Sequence, residues 1–210
     1  MIDLGKLIEL QKRLPPECPV RITPFLNDPL AFIGEEKLDE KAAKLRECLT
    51  QVGAPEEILA AVSASLSLIH QAEKQLASAI SMLEIFFPGY ECDGRGSLLQ
   101  VSSTEMRNTL WLEAFRQLGE YEFTVQMHVS LALAPEWAQI LVLSKERKPE
   151  MAEALQFFDG KGWSFKEVEG PGNHVYLLEK VLADSTDLEQ LLKSGREVAD
   201  ALEKKFSAAS

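Results

Sequence analysis

Two apolar runs in the first half of the chain repeat at heptad spacing, and no other feature limits the fold as strongly. Leu38, Ala42, Leu45, Leu49 and Val52 fall at alternating intervals of four and three. After Gly53 and Pro55 the same rhythm continues through Val62, Leu66, Ile69, Glu73, Leu76, Ile80, Leu83 and Phe87. Such spacing places every member on one stripe of a helix, so it predicts two helices. Gly53 suits a helix stop and Pro55 a helix start. So short a turn makes the pair an antiparallel helical hairpin over 34–88. The second helix would run for about 30 residues, or about 45 Å. Glu73 is the one charged residue on its stripe. Ala60, Ala61, Ser63, Ala64, Ser65 and Ser67 crowd its first half, where small side chains let another helix approach. That helix could come from the hairpin or from a second subunit.

The flanking segments follow other patterns. Residues 1–33 read as a short amphipathic helix near 2–13, then a segment holding Pro15, Pro16, Pro19, Pro24 and Pro29. Proline fixes φ and removes a donor, so this stretch is expected to be extended or irregular. Residues 88–97 carry four turn formers and read as a loop. Leu98–Val101 could be a short strand. A capping box, Ser102 to Glu105, opens an expected helix bearing Met106, Leu110, Trp111, Ala114, Phe115 and Leu118. The period then drops to two: Phe123, Val125, Met127, Val129 and Leu131 alternate with polar residues, as in a half-buried strand. Trp137–Leu143 reads as a second strand, and Pro149 opens a helix. Residues 163–168 and 174–182 read as a hairpin across Gly170-Pro171-Gly172-Asn173. A second capping box, Thr186 to Glu189, opens a final helix in which Gly195 is the weak point. The fold class is therefore α+β: an antiparallel sheet packed with helices, over 97–206, preceded by the helical hairpin.

Charge narrows the function. The chain of 210 residues has 22 Lys plus Arg against 33 Asp plus Glu, a formal net charge of −11. Nucleic-acid surfaces need clustered cations, and only Lys145, Arg147 and Lys148 gather here, in what reads as a solvated turn. No nucleic-acid partner is expected. Eight of the eleven negative units fall within 34–143. No run approaches the about 20 apolar residues that span a bilayer, and the N-terminal residues lack a signal-peptide pattern. No membrane association is expected, and the cytoplasm is the expected compartment. Cys18, Cys48 and Cys92 are far apart and make no CxxC pair, which suits three reduced thiols.

Catalytic constellations are scarce. The histidines, His70, His128 and His174, stand at no metal-ligand spacing, so neither metal nor cofactor is expected. There is no GxSxG elbow and no phosphate-binding glycine loop. Asp93-Gly94-Arg95-Gly96 is the most reactive-looking stretch, though it also reads as a plain turn. One enzymatic reading remains, a composite site in which His128, His174 and Asp93 converge. A third reading is an acidic inhibitor of a basic partner. The aromatic residues suggest a protein partner instead. Trp137, Phe86, Phe87 and Tyr90 are the partner-binding candidates.

The order helix, two or three strands, helix, two strands, helix over 104–206 resembles the type III secretion chaperone-like fold. That family comprises small acidic α+β proteins that dimerise and bind partner polypeptides. The resemblance rests on element order and acidity. It implies a non-enzymatic, chaperone- or adaptor-like protein-binding module that forms a homodimer.

Overall fold

A computed structural model describes residues 4–100, 106–170, 172–183 and 186–206. Four helices come first: α1 (Leu4–Arg13), α2 (Ile22–Asn27), α3 (Leu38–Gln51) and α4 (Glu56–Phe86). Four strands follow: β1 (Glu91–Gln100), β2 (Met106–Leu118), β3 (Tyr121–Ser130) and β4 (Pro135–Ser144). After α5 (Pro149–Gln156) come β5 (Trp163–Gly170), β6 (Asn173–Lys180) and α6 (Leu188–Phe206). The strands form one antiparallel six-stranded sheet in the order β1-β2-β3-β4-β6-β5. The α+β class, with the hairpin ahead of the sheet, is as the sequence predicts. Among the described residues, no helix is long and apolar enough to cross a membrane.

The chain divides into two compact units. The first is Met1–Lys74 with Arg95–Asn108; the second is Gln75–Gly94 with Thr109–Ser210. In the first, Leu7 and Leu10 of α1 join Ile22 and Phe25 of α2 in one core. Leu38, Ala42, Leu45 and Leu49 of α3 and Ile58, Val62 and Ile69 of α4 complete it. The heptad rhythm of α4 is real, but the buried stripe is rotated. Ile58, Val62, Ser65, Ile69, Ala72, Leu76, Ala79 and Leu83 are the buried set. Leu66, Glu73 and Ile80 lie beside it, half-buried. Small Ser65, Ala72 and Ala79 occupy the seam itself. Glu73 accepts the Gly34 amide at 3.1 Å.

Three local expectations are corrected. The proline-rich segment is irregular only up to Arg21 and is not extended beyond it: it then holds α2 and a 3-10 turn, Pro29–Phe32. Pro24 lies in the first turn of α2, where its missing N–H costs nothing, and the Phe25 and Phe32 rings meet edge to face at 5.2 Å. The loop read at 88–97 is β1 from Glu91 onward. The helix read at 104–118 is the strand β2. Leu110, Trp111, Ala114 and Phe115 satisfy a helical period, yet pairing with β3 from Thr109↔Ser130 to Leu118↔Tyr121 decides the outcome. The capping box at 102–105 lies outside the described residues. The other box is shifted by one. Asp187, not Thr186, caps α6, its carboxylate accepting the Gln190 amide at 2.7 Å, while Thr186 Oγ1 accepts the Ala183 amide.

In the second unit α5 and α6 lie on one face of the sheet. Leu110, Leu112, Phe123, Val125, Met127, Ile140, Val142, Tyr176 and Leu178 point to that side and are buried. Helix α6 sits close because Gly195 has no side chain: a Cβ there would meet Phe87 Cζ at 3.3 Å and Val125 Cγ1 at 3.7 Å. Trp163 Nε1 donates to Ser194 Oγ at 3.1 Å from the same side.

Candidate functional site

Pleating sends alternate residues to opposite faces, so the face away from α5 and α6 can be read from the register. Across β2, β3, β4, β6 and β5 it presents four rows. The first is Trp111, His128 and Trp137; the second is Glu113, Gln126, Gln139, Glu179 and Ser164. The third is Phe115, Thr124, Leu141, Leu177 and Lys166; the fourth is Gln117, Glu122, Leu143, Val175 and Val168. Trp111, Phe115, Trp137, Leu141, Leu143, Val175 and Leu177 are all half-buried, while Val168 is 48% exposed. Here the sheet keeps apolar side chains in partial contact with solvent.

Polar residues frame that apolar strip. Gln126 donates to Glu113 at 2.7 Å and Gln139 donates to Gln126 at 2.8 Å, a ladder crossing three strands. Lys166 pairs with Glu179 at the β5 end. On the far side a pocket of about 350 Å³ opens between Gln117, Glu120, Glu122, Leu143, Lys145 and Asn173. In the first row the Trp111 and Trp137 rings stack at 6.0 Å, and the buried His128 ring meets both edge to face. His128 Nδ1 lies 3.0 Å from Thr109 Oγ1.

The partner-binding candidates are therefore spread out. Trp137 stands on the open face, half-buried. Phe87 is fully buried and Tyr90 nearly so, their rings packed edge to face at 5.4 Å. Neither offers a surface. Tyr90 instead donates to Glu203 at 2.7 Å, and Glu203 also takes Arg116 and Arg196. Burial, then Glu203, pushes the Tyr90 phenol well above its ordinary range. Phe86 is half-buried, and beside it Ile85 is 76% exposed. The open face itself was missed, because three of its residues, Trp111, Glu113 and Phe115, fall in the stretch read as a helix.

The composite catalytic site is not assembled. His128 belongs to the open face, opposite Trp137, whereas His174 points to the helix-covered face, opposite Ser144. Those two positions on β4 are seven residues apart, about 23 Å of strand. His174 Nε2 lies 3.0 Å from Glu167, which also takes Arg147 in a bidentate pair. Arg147 first, and His174 with it, hold the Glu167 carboxyl below its usual range. Asp93 is an exposed residue of β1 that accepts the Gly94 amide. His70 sits 3.4 Å from Asp39 on an exposed helix face. Among the described residues no group of three or more His, Cys, Asp or Glu could hold a metal. All three cysteines are free. Burial pushes the Cys48 and Cys92 thiols up, away from the thiolate form that attacks electrophiles.

Compared with family models, curated proteins and solved structures, the chain matches none.

Proposed function

We propose that the chain is a non-enzymatic protein-binding module of chaperone or adaptor type, working as a homodimer in the cytoplasm. The observation that carries this reading is the open sheet face, where Phe115, Leu141, Leu143, Val175 and Leu177 are half-buried beside two tryptophans. An apolar strip beside a ladder of hydrogen-bonded polar groups suits a polypeptide surface better than a small-molecule site, which is concave and encloses its ligand. Over 106–206 the order runs three strands, helix, two strands, helix, without the opening helix on which the chaperone-like resemblance rests. The small residues of α4 favour a second subunit, since only Ser65 of the six is buried. A net charge of −11 keeps such a protein soluble while its apolar face is empty.

Light scattering on the purified chain should give twice its mass of 23.4 kDa. The protein should also hold a heat-unfolded client in solution at equimolar ratio, and Leu141→Asp should abolish this. A strict monomer that leaves client aggregation unchanged sinks the proposal.

A further inference from the structure

The open face also carries information about what occupies it. Its third and fourth rows place Leu141, Leu143, Leu177, Val175 and Val168 side by side on β4, β6 and β5, with Phe115 on β2 beyond Thr124. With strands about 4.8 Å apart and rows about 7 Å apart, these six positions cover roughly 200 Å² within a band roughly 19 Å long. The roughly 200 Å² they cover falls well short of the about 800 Å² per partner that a stable dimer buries. A helix of about 13 residues is about 19 Å long and presents one apolar stripe. Acidic residues stand along one long side, Glu113 and Glu179 in the second row, and within the strip itself, where Glu122 neighbours Leu143 in the fourth row. Glu122 is exposed and makes no ion pair among the described residues. The cations nearby are Lys166, already joined to Glu179, and Lys145 at the pocket mouth.

We infer that this face seats an amphipathic helical segment of a partner protein, about 13 residues long, whose apolar stripe is flanked by lysine or arginine. The inference rests on the protein-binding reading above and names the partner chemistry. Apolar residues at i, i+3, i+4 and i+7 would cover Phe115, Leu141 and Leu177. Basic residues would meet Glu113 beside the strip and Glu122 in its fourth row, where charges set specificity and association rate.

Fluorescence anisotropy on the full chain tests this with three labelled 14-residue peptides. One carries a leucine stripe flanked by lysine, the second the same stripe flanked by glutamate, the third the lysine flanks with serine in place of leucine. The lysine–leucine peptide should bind at least tenfold tighter than either control, and added salt should weaken it. Leu141→Asp should remove binding. Glu122→Gln should weaken the lysine–leucine peptide roughly threefold and should not weaken the glutamate one. Leu141→Ser, with circular dichroism to confirm the fold, serves if the aspartate variant does not fold. Equal binding of the two leucine peptides overturns the inference, as does binding indifferent to Leu141. Conversion of a dimer to a monomer by Leu141→Asp overturns it too, because a second copy then covers the face. If the lysine–leucine peptide fails while client protection still depends on Leu141, the occupant is wrong and the protein-binding reading stands. Loss of both removes both.

Discussion

At Gly96 the absence of a side chain is a packing requirement. A Cβ there would fall on the Leu30 carbonyl and 2.6 Å from Leu30 Cβ. At Gly94 it would meet Leu76 Cδ1 at 2.7 Å and the Trp111 carbonyl at 3.0 Å. Glycine inside a strand marks such close approaches. In the sequence Asp93-Gly94-Arg95-Gly96 looks like a hinge because glycine serves turns and tight packing alike, and the neighbours that decide lie far away in the chain. Gly96→Ala should cost about 1–3 kcal/mol, read as a lowered urea midpoint; an unchanged midpoint would show that Leu30 moves aside freely. Gly195 follows the same logic in a helix. Gly195→Ala gains about 1 kcal/mol of helix propensity against a tight contact with the Phe87 ring, so its midpoint should barely move. Gly195→Leu has no space and should lose about 1–3 kcal/mol.

Among the elements, α4 was the most legible and β2 the least. Heptad spacing located α4 from its apolar residues alone, but it could not choose between two adjacent stripes. Leu66, Glu73 and Ile80 complete one stripe, Ser65, Ala72 and Ala79 the other, and both have the four-three rhythm. In the folded chain the small set is the buried one. The energetic consequence separates two isoleucines. Ile69→Ala removes a fully buried side chain and should cost about 2–5 kcal/mol. Ile80→Ala, on the half-buried flank, should cost about 1 kcal/mol. Equal urea midpoints for the two would return the seam to the stripe read from sequence. In β2, Leu110, Leu112, Ala114 and Leu118 alternate with Trp111, Glu113, Phe115 and Gln117. The same letters also satisfy a helical period, and only the partner strand β3 breaks the tie. Strands β3 to β6 were readable because their alternation or their Gly-Pro-Gly turn admits one period only.

For the whole molecule, all three tyrosines of the chain, Tyr90, Tyr121 and Tyr176, are buried. Burial raises each phenol, Tyr121 to about 12. The folded state therefore favours the neutral phenol, and its stability is fully present below the ordinary tyrosine value of about 10. Stability should fall as pH rises from there through the folded values. Absorbance at 295 nm should show less phenolate near pH 10 than three free tyrosines would give. A tyrosine titrating normally in the folded protein would contradict this. Alternation told that the sheet has two faces, but not which one the helices cover; that depends on where α5 and α6 return, which no local pattern encodes. The division into two units carries a last consequence, for inheritance and manufacture. The backbone passes from one unit to the other at Lys74, Gly94 and Asn108, inside α4, β1 and β2. A gene cut at any of these points severs a hydrogen-bonded element, so neither unit can be traded, fused or expressed as an intact continuous piece.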